Sequence, residues 1–223
     1  MVWDPFGTLA QVLWIGGAQW AGKSTVARIL ATTYGLTAYH YDYQAVRGHY
    51  DRLVARRATR GEPLAGPDPD AMWVLPTPEQ MARDVLASFV ESFEWTLDDL
   101  RALVSGRPIV AEGWGLRPEM VLPILDSPRR MVVMVPTEEF RREQVRRMPR
   151  AQSLGAAAEL SDPERGQRNR LDRDRLVALD AVRTARANGI WVIEVDGSLD
   201  EEQVADQVAD HFAPYIREAS AVV

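Results

Sequence analysis

Short runs of apolar residues alternate along the chain with longer stretches in which apolar residues recur at helical spacing. The runs are Val12–Ile15, Thr37–Tyr41, Pro108–Ala111, Met131–Val135 and Ile190–Val195. Strands buried on both faces of a parallel sheet read as continuous apolar runs, and helices connect them. The pattern therefore predicts an α/β fold with three layers, in which helices cover both faces of a five-stranded parallel sheet.

Sheets of this kind bind ligands at the carboxyl ends of their strands. The residues that follow the five runs are Gly16, Asp42, Glu112, Pro136 and Asp196. We therefore expect the chemistry of this chain to lie among these positions.

Two stretches are longer than ordinary connections. Between the second and third strands, the pattern is helical over Arg47–Arg60, loop-like and proline-rich over Gly61–Pro78, and strongly helical over Glu79–Val104. We expect this insertion, residues 45–105, to cover the site. After the fourth strand, the irregular stretch Pro149–Pro163 is interpreted as a mobile flap or, alternatively, as a plain surface loop.

The first run leads into a GxxxxGK[ST] motif. Its residues, with the threonine that follows, are Gly17, Ala18, Gln19, Trp20, Ala21, Gly22, Lys23, Ser24 and Thr25. A helix is predicted from Ser24 to Tyr34, so free backbone N–H groups of the loop and the helix N-terminus form an anion cradle. Lys23 is the only lysine among 26 basic residues.

The motif predicts nucleotide binding, with distinct roles for its polar side chains. Lys23 would reach the β and γ phosphates of the nucleotide. Ser24 would ligate a magnesium ion that bridges two phosphates. Thr25 would contact the α phosphate.

Composition narrows the class of protein further. The chain has 223 residues with 46% hydrophobic content, which is enough for one α/β domain over residues 1–223. It has no cysteine, which excludes thiol nucleophiles and thiolate zinc sites, and its three histidines are scattered, so magnesium is the only metal expected.

The charge and the hydropathy pattern bear on partners. A net charge of −6 argues against nucleic-acid binding and favours a small-molecule partner. Residues 1–10 lack the features of a signal peptide, and no apolar run is long enough to cross a membrane. We therefore expect a soluble, cytoplasmic protein with no membrane partner, and the pattern leaves its oligomeric state open.

Two carboxylates and one arginine are candidate site residues. Asp42 is interpreted as the base that accepts a proton from an attacking hydroxyl, or as the group that holds this hydroxyl and magnesium in line; the alternative is a helix N-cap. Glu112 is a candidate ligand for substrate or magnesium-bound water, with Gly113 allowing close backbone approach. Arg117 is interpreted as a clamp on the acceptor or as a solvated residue. His40 is interpreted as core.

An arginine stripe follows the fourth strand. Arg142, Arg146 and Arg150 recur every four residues, and Arg146 is the candidate for stabilising charge on a transferred phosphoryl group. Ordinary surface arginines are the alternative. Arg170 has an acid four residues on, at Asp174, whereas Arg173 has none. These arginines fall in a predicted lid, residues 142–175.

Several of these features together resemble the adenylate-kinase-like branch of P-loop kinases. They are the loop, Asp42, the Glu112-Gly113-Trp114 turn, the arginine-bearing flap and Glu194-Val195-Asp196-Gly197. The resemblance implies ATP as phosphate donor, magnesium, an acceptor-binding insertion after strand two and an arginine-bearing lid. The turn is similar to the Asp-Gly-aromatic turn of nucleotide monophosphate kinases, but Gly115-Leu116-Arg117 replaces the Pro-Arg expected next, which makes a nucleotide acceptor less favoured.

Residues 16–24 also resemble the loop of chloramphenicol-phosphotransferase-type kinases, in which an Asp after strand two is implied as the base. Asp42 holds that position here. The leading hypothesis is an ATP-dependent kinase for a nucleoside, nucleotide or similar hydroxylated metabolite. The alternative is a nucleotide-binding switch or regulatory protein that phosphorylates no acceptor.

Overall fold

All five apolar runs form strands of one parallel sheet. The computed structural model of the chain describes residues 3–66, 68–147 and 160–220. The strands are β1 Val12–Gly17, β2 Thr37–His40, β3 Ile109–Glu112, β4 Met131–Pro136 and β5 Trp191–Val195. They lie in the order β2-β3-β1-β4-β5. The predicted fold class is confirmed.

Helices occupy most of the remaining described chain. The α-helices are α1 Lys23–Tyr34, α2 Tyr41–Gln44, α3 Tyr50–Thr59, α4 Pro69–Trp73, α5 Pro78–Ala102, α6 Pro118–Val121, α7 Glu138–Arg147, α8 Pro163–Ala187 and α9 Glu201–Ser220. A π-helical turn, Ala45–His49, joins α2 to α3. Short 3₁₀ turns lie at Leu9–Gln11, Leu122–Ile124 and Pro128–Arg130.

Two apolar clusters fix the three layers. Because side chains alternate across a strand, Trp14 of β1 packs with the cluster formed by α5 and α8, whereas Leu13 and Ile15 pack with α1 and α9. Trp14, Leu13 and Ile15 are fully buried. Burial on both faces explains why the strands have no polar alternation in their sequence.

The insertion after β2 is more helical than its sequence pattern indicates. The proline-rich stretch predicted as a loop contains α4, whose N-cap Asp68 accepts a hydrogen bond from the backbone N–H of Asp70. The capping residue and Pro69 at the first helical position explain the helix. A capping box formed by Thr77 and Gln80 then starts α5.

Within the described ranges, no helix combines the length and the apolar content that are needed to cross a membrane.

Strand register brings the candidate residues to one edge of the sheet. Glu112 of β3 lies opposite Ile15 of β1 on one side and His40 of β2 on the other. Asp42 follows β2 by two residues, and the phosphate-binding loop follows β1. The two carboxylates and the loop therefore meet at the carboxyl edge of the sheet.

Tyr41 packs against the turn that follows β3. A Cβ atom built on Gly113 would lie 2.5 Å from Tyr41 Cβ, and one built on Gly115 would lie 2.3 Å from the Tyr41 ring atoms Cε1 and Cζ. Real Cβ atoms do not approach so closely, so this contact requires glycine at both positions. The contact holds Asp42, the neighbour of Tyr41, beside the turn.

We predict that Gly115→Ala lowers the free energy of unfolding by about 1–3 kcal/mol, because the added methyl group forces the turn away from Tyr41. Gly106 is the matched control, since nothing lies within 4 Å of its Cβ position. Gly106→Ala is expected to change stability by less than about 0.5 kcal/mol. Urea unfolding of the three proteins measures the difference, and equal effects of the two substitutions would contradict the prediction.

Candidate active site

The phosphate-binding loop is held against β4 by close backbone contact. The Ala18 N–H donates to the Met134 carbonyl at 2.9 Å. Gly17 has φ +118°, and a Cβ on it would lie 2.1 Å from the Met134 carbonyl oxygen. Gly22 caps α1 in the left-handed region, with φ +77°. Glycine is required at Gly17 by both space and conformation, and at Gly22 by conformation.

Trp20 is a non-glycine residue in the left-handed region of the same loop. Its φ is +67°, a conformation that is strained for a bulky side chain. Strain of this kind persists only where surrounding contacts hold the backbone in place, and it clusters at ligand-binding sites. The loop is therefore pre-shaped before any ligand arrives.

Lys23 is the first residue of α1, and its side chain reaches back to the phosphate-binding loop. Its Nζ donates to the Ala18 carbonyl at 2.6 Å, and the residue is buried. Burial lowers the pKa of Lys23, while the negative charges of Asp42 and Glu112 oppose that shift. The ammonium is thus held in a poorly solvated position where an additional anion would be favourable.

Asp42 lies inside the first turn of α2 rather than at its N-cap, because β2 ends at His40 and the helix begins at Tyr41. The capping alternative is therefore wrong. Its Oδ1 accepts a hydrogen bond from the Trp114 N–H at 3.4 Å. Asp42 is an exposed residue, but the surrounding cleft walls desolvate its carboxylate, and this raises the pKa of Asp42. The charge of Glu112 raises the pKa further, and the charge of Lys23 opposes the shift.

Glu112 lies beneath the cleft and is 1% exposed. His40 Nδ1 donates to Glu112 Oε1 at 2.9 Å, while Glu112 Oε2 is buried with no hydrogen-bond partner. The His40 side chain is 44% exposed, so its interpretation as a core residue is wrong. Buried carboxylate oxygens are rarely left unpaired, and a metal-bound water would supply the missing donor.

Two cavities meet at this edge of the sheet. The larger, which we call the phosphate cavity, has a volume of about 720 Å³. Its lining includes Lys23, Phe140, Arg170 and Leu199. The smaller, which we call the aromatic cavity, has a volume of about 470 Å³. It is lined by Gln19, Tyr41, Asp42, Ala45, Val46, His49, Tyr50, Leu53, Ser88, Phe89, Glu91, Ser92, Trp95 and Trp114.

Asp42 and Gln19 line both cavities and so form part of their shared wall. Seven of the nine residues predicted from the loop motif line the phosphate cavity, namely Gln19, Trp20, Ala21, Gly22, Lys23, Ser24 and Thr25. Gly17 and Ala18 shape the loop from below through their contacts with Met134.

Arg117 does not line either cavity among the described residues. It is 1% exposed, and its guanidinium donates to Glu119 Oε1 at 3.1 Å, the Val177 carbonyl at 3.0 Å and Asp180 Oδ2 at 2.5 Å. This geometry disfavours both interpretations of Arg117, as an acceptor clamp and as a solvated residue. Arg117 instead ties the turn after β3 to α8.

No described arginine of the stripe lines the site. Arg142 and Arg146 are exposed on α7 and line neither cavity. Arg150 lies outside the described residues, as do residues 148–159 of the predicted flap and lid. Arg170 of α8 lines the phosphate cavity instead. Sequence spacing assigned Asp174 to Arg170; the two charges interact, and Asp174 Oδ1 also accepts hydrogen bonds from Arg173 at 2.7 and 2.8 Å.

Comparisons with known proteins add a fold likeness. No protein-family model and no curated protein matches the chain. Shikimate kinase from Aquifex aeolicus matches with 17% sequence identity and a TM-score of 0.37, over 95% of this chain and 98% of that one. Thymidylate kinase from Candida albicans matches with 13% identity and a TM-score of 0.49, over 92% of each chain. The strand order and the phosphate-binding loop of this chain define its P-loop fold.

We predict that Arg117→Met destabilises the protein by roughly 3 kcal/mol, because it leaves the half-buried Asp180 without this cation and removes a donor from the Val177 carbonyl. Arg129→Met, at an exposed position, is the control and is expected to have little effect. Chemical denaturation measures both. An Arg117→Met protein as stable as wild type would contradict the structural role of Arg117.

Proposed function

We propose that the chain is an ATP- and magnesium-dependent phosphotransferase that acts on a hydroxyl or phosphate of a small molecule such as a nucleoside, nucleotide or other metabolite. It would be a P-loop kinase similar to the adenylate-kinase-like or chloramphenicol-phosphotransferase-like kinds. The observation that carries the proposal is the position of Asp42 in the wall shared by the phosphate cavity and the aromatic cavity. A base at this junction can contact a group bound in either cavity.

The phosphate cavity supplies the groups that an ATP phosphate chain requires. Backbone N–H groups of the loop and of the first turn of α1 are donors, and Lys23 adds a cation beside them. Arg170 takes the cationic role that the sequence assigned to Arg146, since Arg170 lines the cavity. The aromatic cavity would hold the acceptor.

The residues at the junction also fit magnesium. The Ser24 hydroxyl and the Asp42 carboxylate would hold the ion together with phosphate oxygens, and Glu112 Oε2 would accept from a bound water. When bound, magnesium neutralises charge on the phosphates. Among the described residues, no three or more His, Cys, Asp or Glu side chains are grouped so that they could hold a metal ion by themselves, so most of its ligands would be phosphate and water.

The proposed transfer to a hydroxyl is a single displacement. The acceptor oxygen attacks the γ-phosphorus while the bond from that phosphorus to the bridging oxygen of ADP breaks. The acceptor proton passes to the Asp42 carboxylate. Lys23 and Arg170 stabilise the charge on the transferred group and on ADP. Because Asp42 is anchored by the Trp114 N–H and the packed Tyr41 ring, it is oriented before the substrates bind.

We predict that ADP forms from ATP only when an acceptor is present, in a panel of nucleosides, nucleotides, sugars and other hydroxylated ring compounds. Lys23→Met should lower ATP affinity roughly 100-fold, because charge-assisted hydrogen bonds contribute about 1.5–3 kcal/mol each. Asp42→Asn should retain ATP binding and lose ADP formation. Arg28→Met is the control, because Arg28 is an exposed residue of α1, the helix that carries Lys23. ATP binding with no acceptor-dependent ADP would favour the regulatory alternative.

We predict an acid limb in the pH profile of kcat/KM with its midpoint above 3.8, the ordinary pKa of an aspartate. The sign follows from the base role, because Asp42 takes up a proton as the pH falls through its raised pKa and then cannot accept one from the acceptor. Steady-state rates across the pH range measure the limb. It should persist in His40→Asn, which removes the neighbouring titratable ring; a midpoint that moves with His40 would contradict the assignment.

A further inference from the structure

The aromatic cavity has a distinctive charge. Its described lining contains the rings of Tyr41, Tyr50, Phe89, Trp95 and Trp114, and its charged members are the carboxylates Asp42 and Glu91. None of those lining residues is a lysine or an arginine. An anionic group in this space would therefore meet negative charge and apolar rings without a cation, which disfavours phosphate or carboxylate substituents.

Three arginines that contact residues of the cavity wall are engaged outside its lining. Arg173 packs over the Trp114 ring at 5.4 Å from its centroid and donates to Asp174 Oδ1 at 2.8 Å. Arg56 stacks over the Trp95 ring at 4.7 Å from its centroid. Arg52 donates to Asp99 Oδ1 at 2.8 Å and to the Trp95 carbonyl at 3.3 Å. These contacts hold Trp95 in the wall rather than offering a cation to a ligand.

The His49 ring in the cavity wall is oriented by Asp99, which lies outside the lining. His49 is 3% exposed, and its Nε2 donates to Asp99 Oδ2 at 2.8 Å. The same Asp99 oxygen accepts from the Tyr39 hydroxyl at 3.1 Å. Burial, with the charge of Asp99, raises the pKa of Tyr39, so this hydroxyl remains a donor. Because Asp99 receives three hydrogen bonds, it acts as the acceptor toward His49 and fixes the proton on Nε2.

The other nitrogen of His49 has no partner. Nδ1 is buried and makes no hydrogen bond. With the proton on Nε2, Nδ1 is an acceptor. The ring lies edge-on to Tyr41, with centroids 6.0 Å apart, and tilted against Trp95 at 5.8 Å. His49 also ends the π-helical turn, a rare conformation that is frequent at functional sites. Because His49 lines the aromatic cavity, a ligand bound there can supply the donor that this buried acceptor lacks.

We propose that the aromatic cavity binds an uncharged ring compound with two donor groups, one bonded to His49 Nδ1 and the other, the reacting hydroxyl, at Asp42. The proposal rests on the proposed function in taking this cavity as the acceptor site. It narrows the acceptor by excluding molecules that bring a phosphate or carboxylate into the cavity. His49 is a specificity-determining residue for the ring, and Asp99 is the positioning residue behind it.

Two matched sets of probes test the proposal by direct binding. One set is 4-hydroxybenzyl alcohol, 4-methoxybenzyl alcohol and 4-hydroxybenzoate; the other is thymidine, 3-methylthymidine and thymidine 5′-monophosphate. Each set has a neutral donor, its methylated form and an anionic form. Dissociation constants are measured by NMR titration with magnesium and a β,γ-methylene ATP analogue present. In at least one set, the neutral donor should bind roughly tenfold tighter than the other two.

The variant His49→Gln separates the two ring nitrogens, because the glutamine amide retains a donor to Asp99 and lacks an atom at the Nδ1 position. Its preference for the neutral donor over the methylated form should fall to about onefold, since one hydrogen bond is lost. Tyr43→Phe, which removes a hydroxyl from an exposed residue that lines neither cavity, should retain the preference. Unchanged binding of the ATP analogue and an unchanged melting temperature verify that His49→Gln is folded.

Three outcomes would overturn the proposal: tighter binding of the anionic forms, a donor preference that survives in His49→Gln, or binding of neither neutral donor. Acceptor-dependent ADP formation is measured separately. His49-dependent binding without ADP formation would remove the kinase function and leave the cavity assignment in place. ADP formation with anionic acceptors that is unaffected by His49→Gln would support the kinase function and remove the cavity assignment.

Discussion

The burial of a single ammonium group organises this edge of the sheet. Lys23 is placed by α1, and the carboxylates that interact with its charge come from the first turn of α2 and the end of β3. These three elements are distant in sequence, so only the strand order that puts β1 beside β3, and β3 beside β2, brings them together. The same arrangement also requires glycine at Gly17, which packs against Met134, and at Gly113 and Gly115, which pack against Tyr41.

The two cavities differ in chemistry because different kinds of element build them. The phosphate cavity is formed by a loop and helix N-terminus, where backbone donors are exposed, with Lys23 and Arg170 adding positive charge. The aromatic cavity is formed by the side chains of α2, α3, α5 and the turn after β3. Basic side chains and backbone donors therefore lie on one side of Asp42, and most of the aromatic rings lie on the other.

Local patterns were sufficient to predict the strands, the loop motif and the position of Asp42 near the site. Side chains whose role depends on distant partners were not predictable. Arg117 is buried because Asp180 lies beside it, and His49 is oriented by Asp99, fifty positions away along the chain. Helical spacing paired Arg170 with Asp174, and the two charges do interact, but Asp174 also bonds the adjacent Arg173, whose side chain packs over Trp73 and Trp114. Helical spacing identifies possible partners but not competition between them.

Asn169 joins α8 to the insertion that follows β2. Its side-chain amide donates to the carbonyls of Trp73, Val74 and Pro76 in the insertion. The next residue is Arg170, which faces the phosphate cavity. A shift of α8 that moves Arg170 must carry this part of the insertion with it or break those bonds. The position of Arg170 in the phosphate cavity is therefore coupled mechanically to α4 and the segment that follows it.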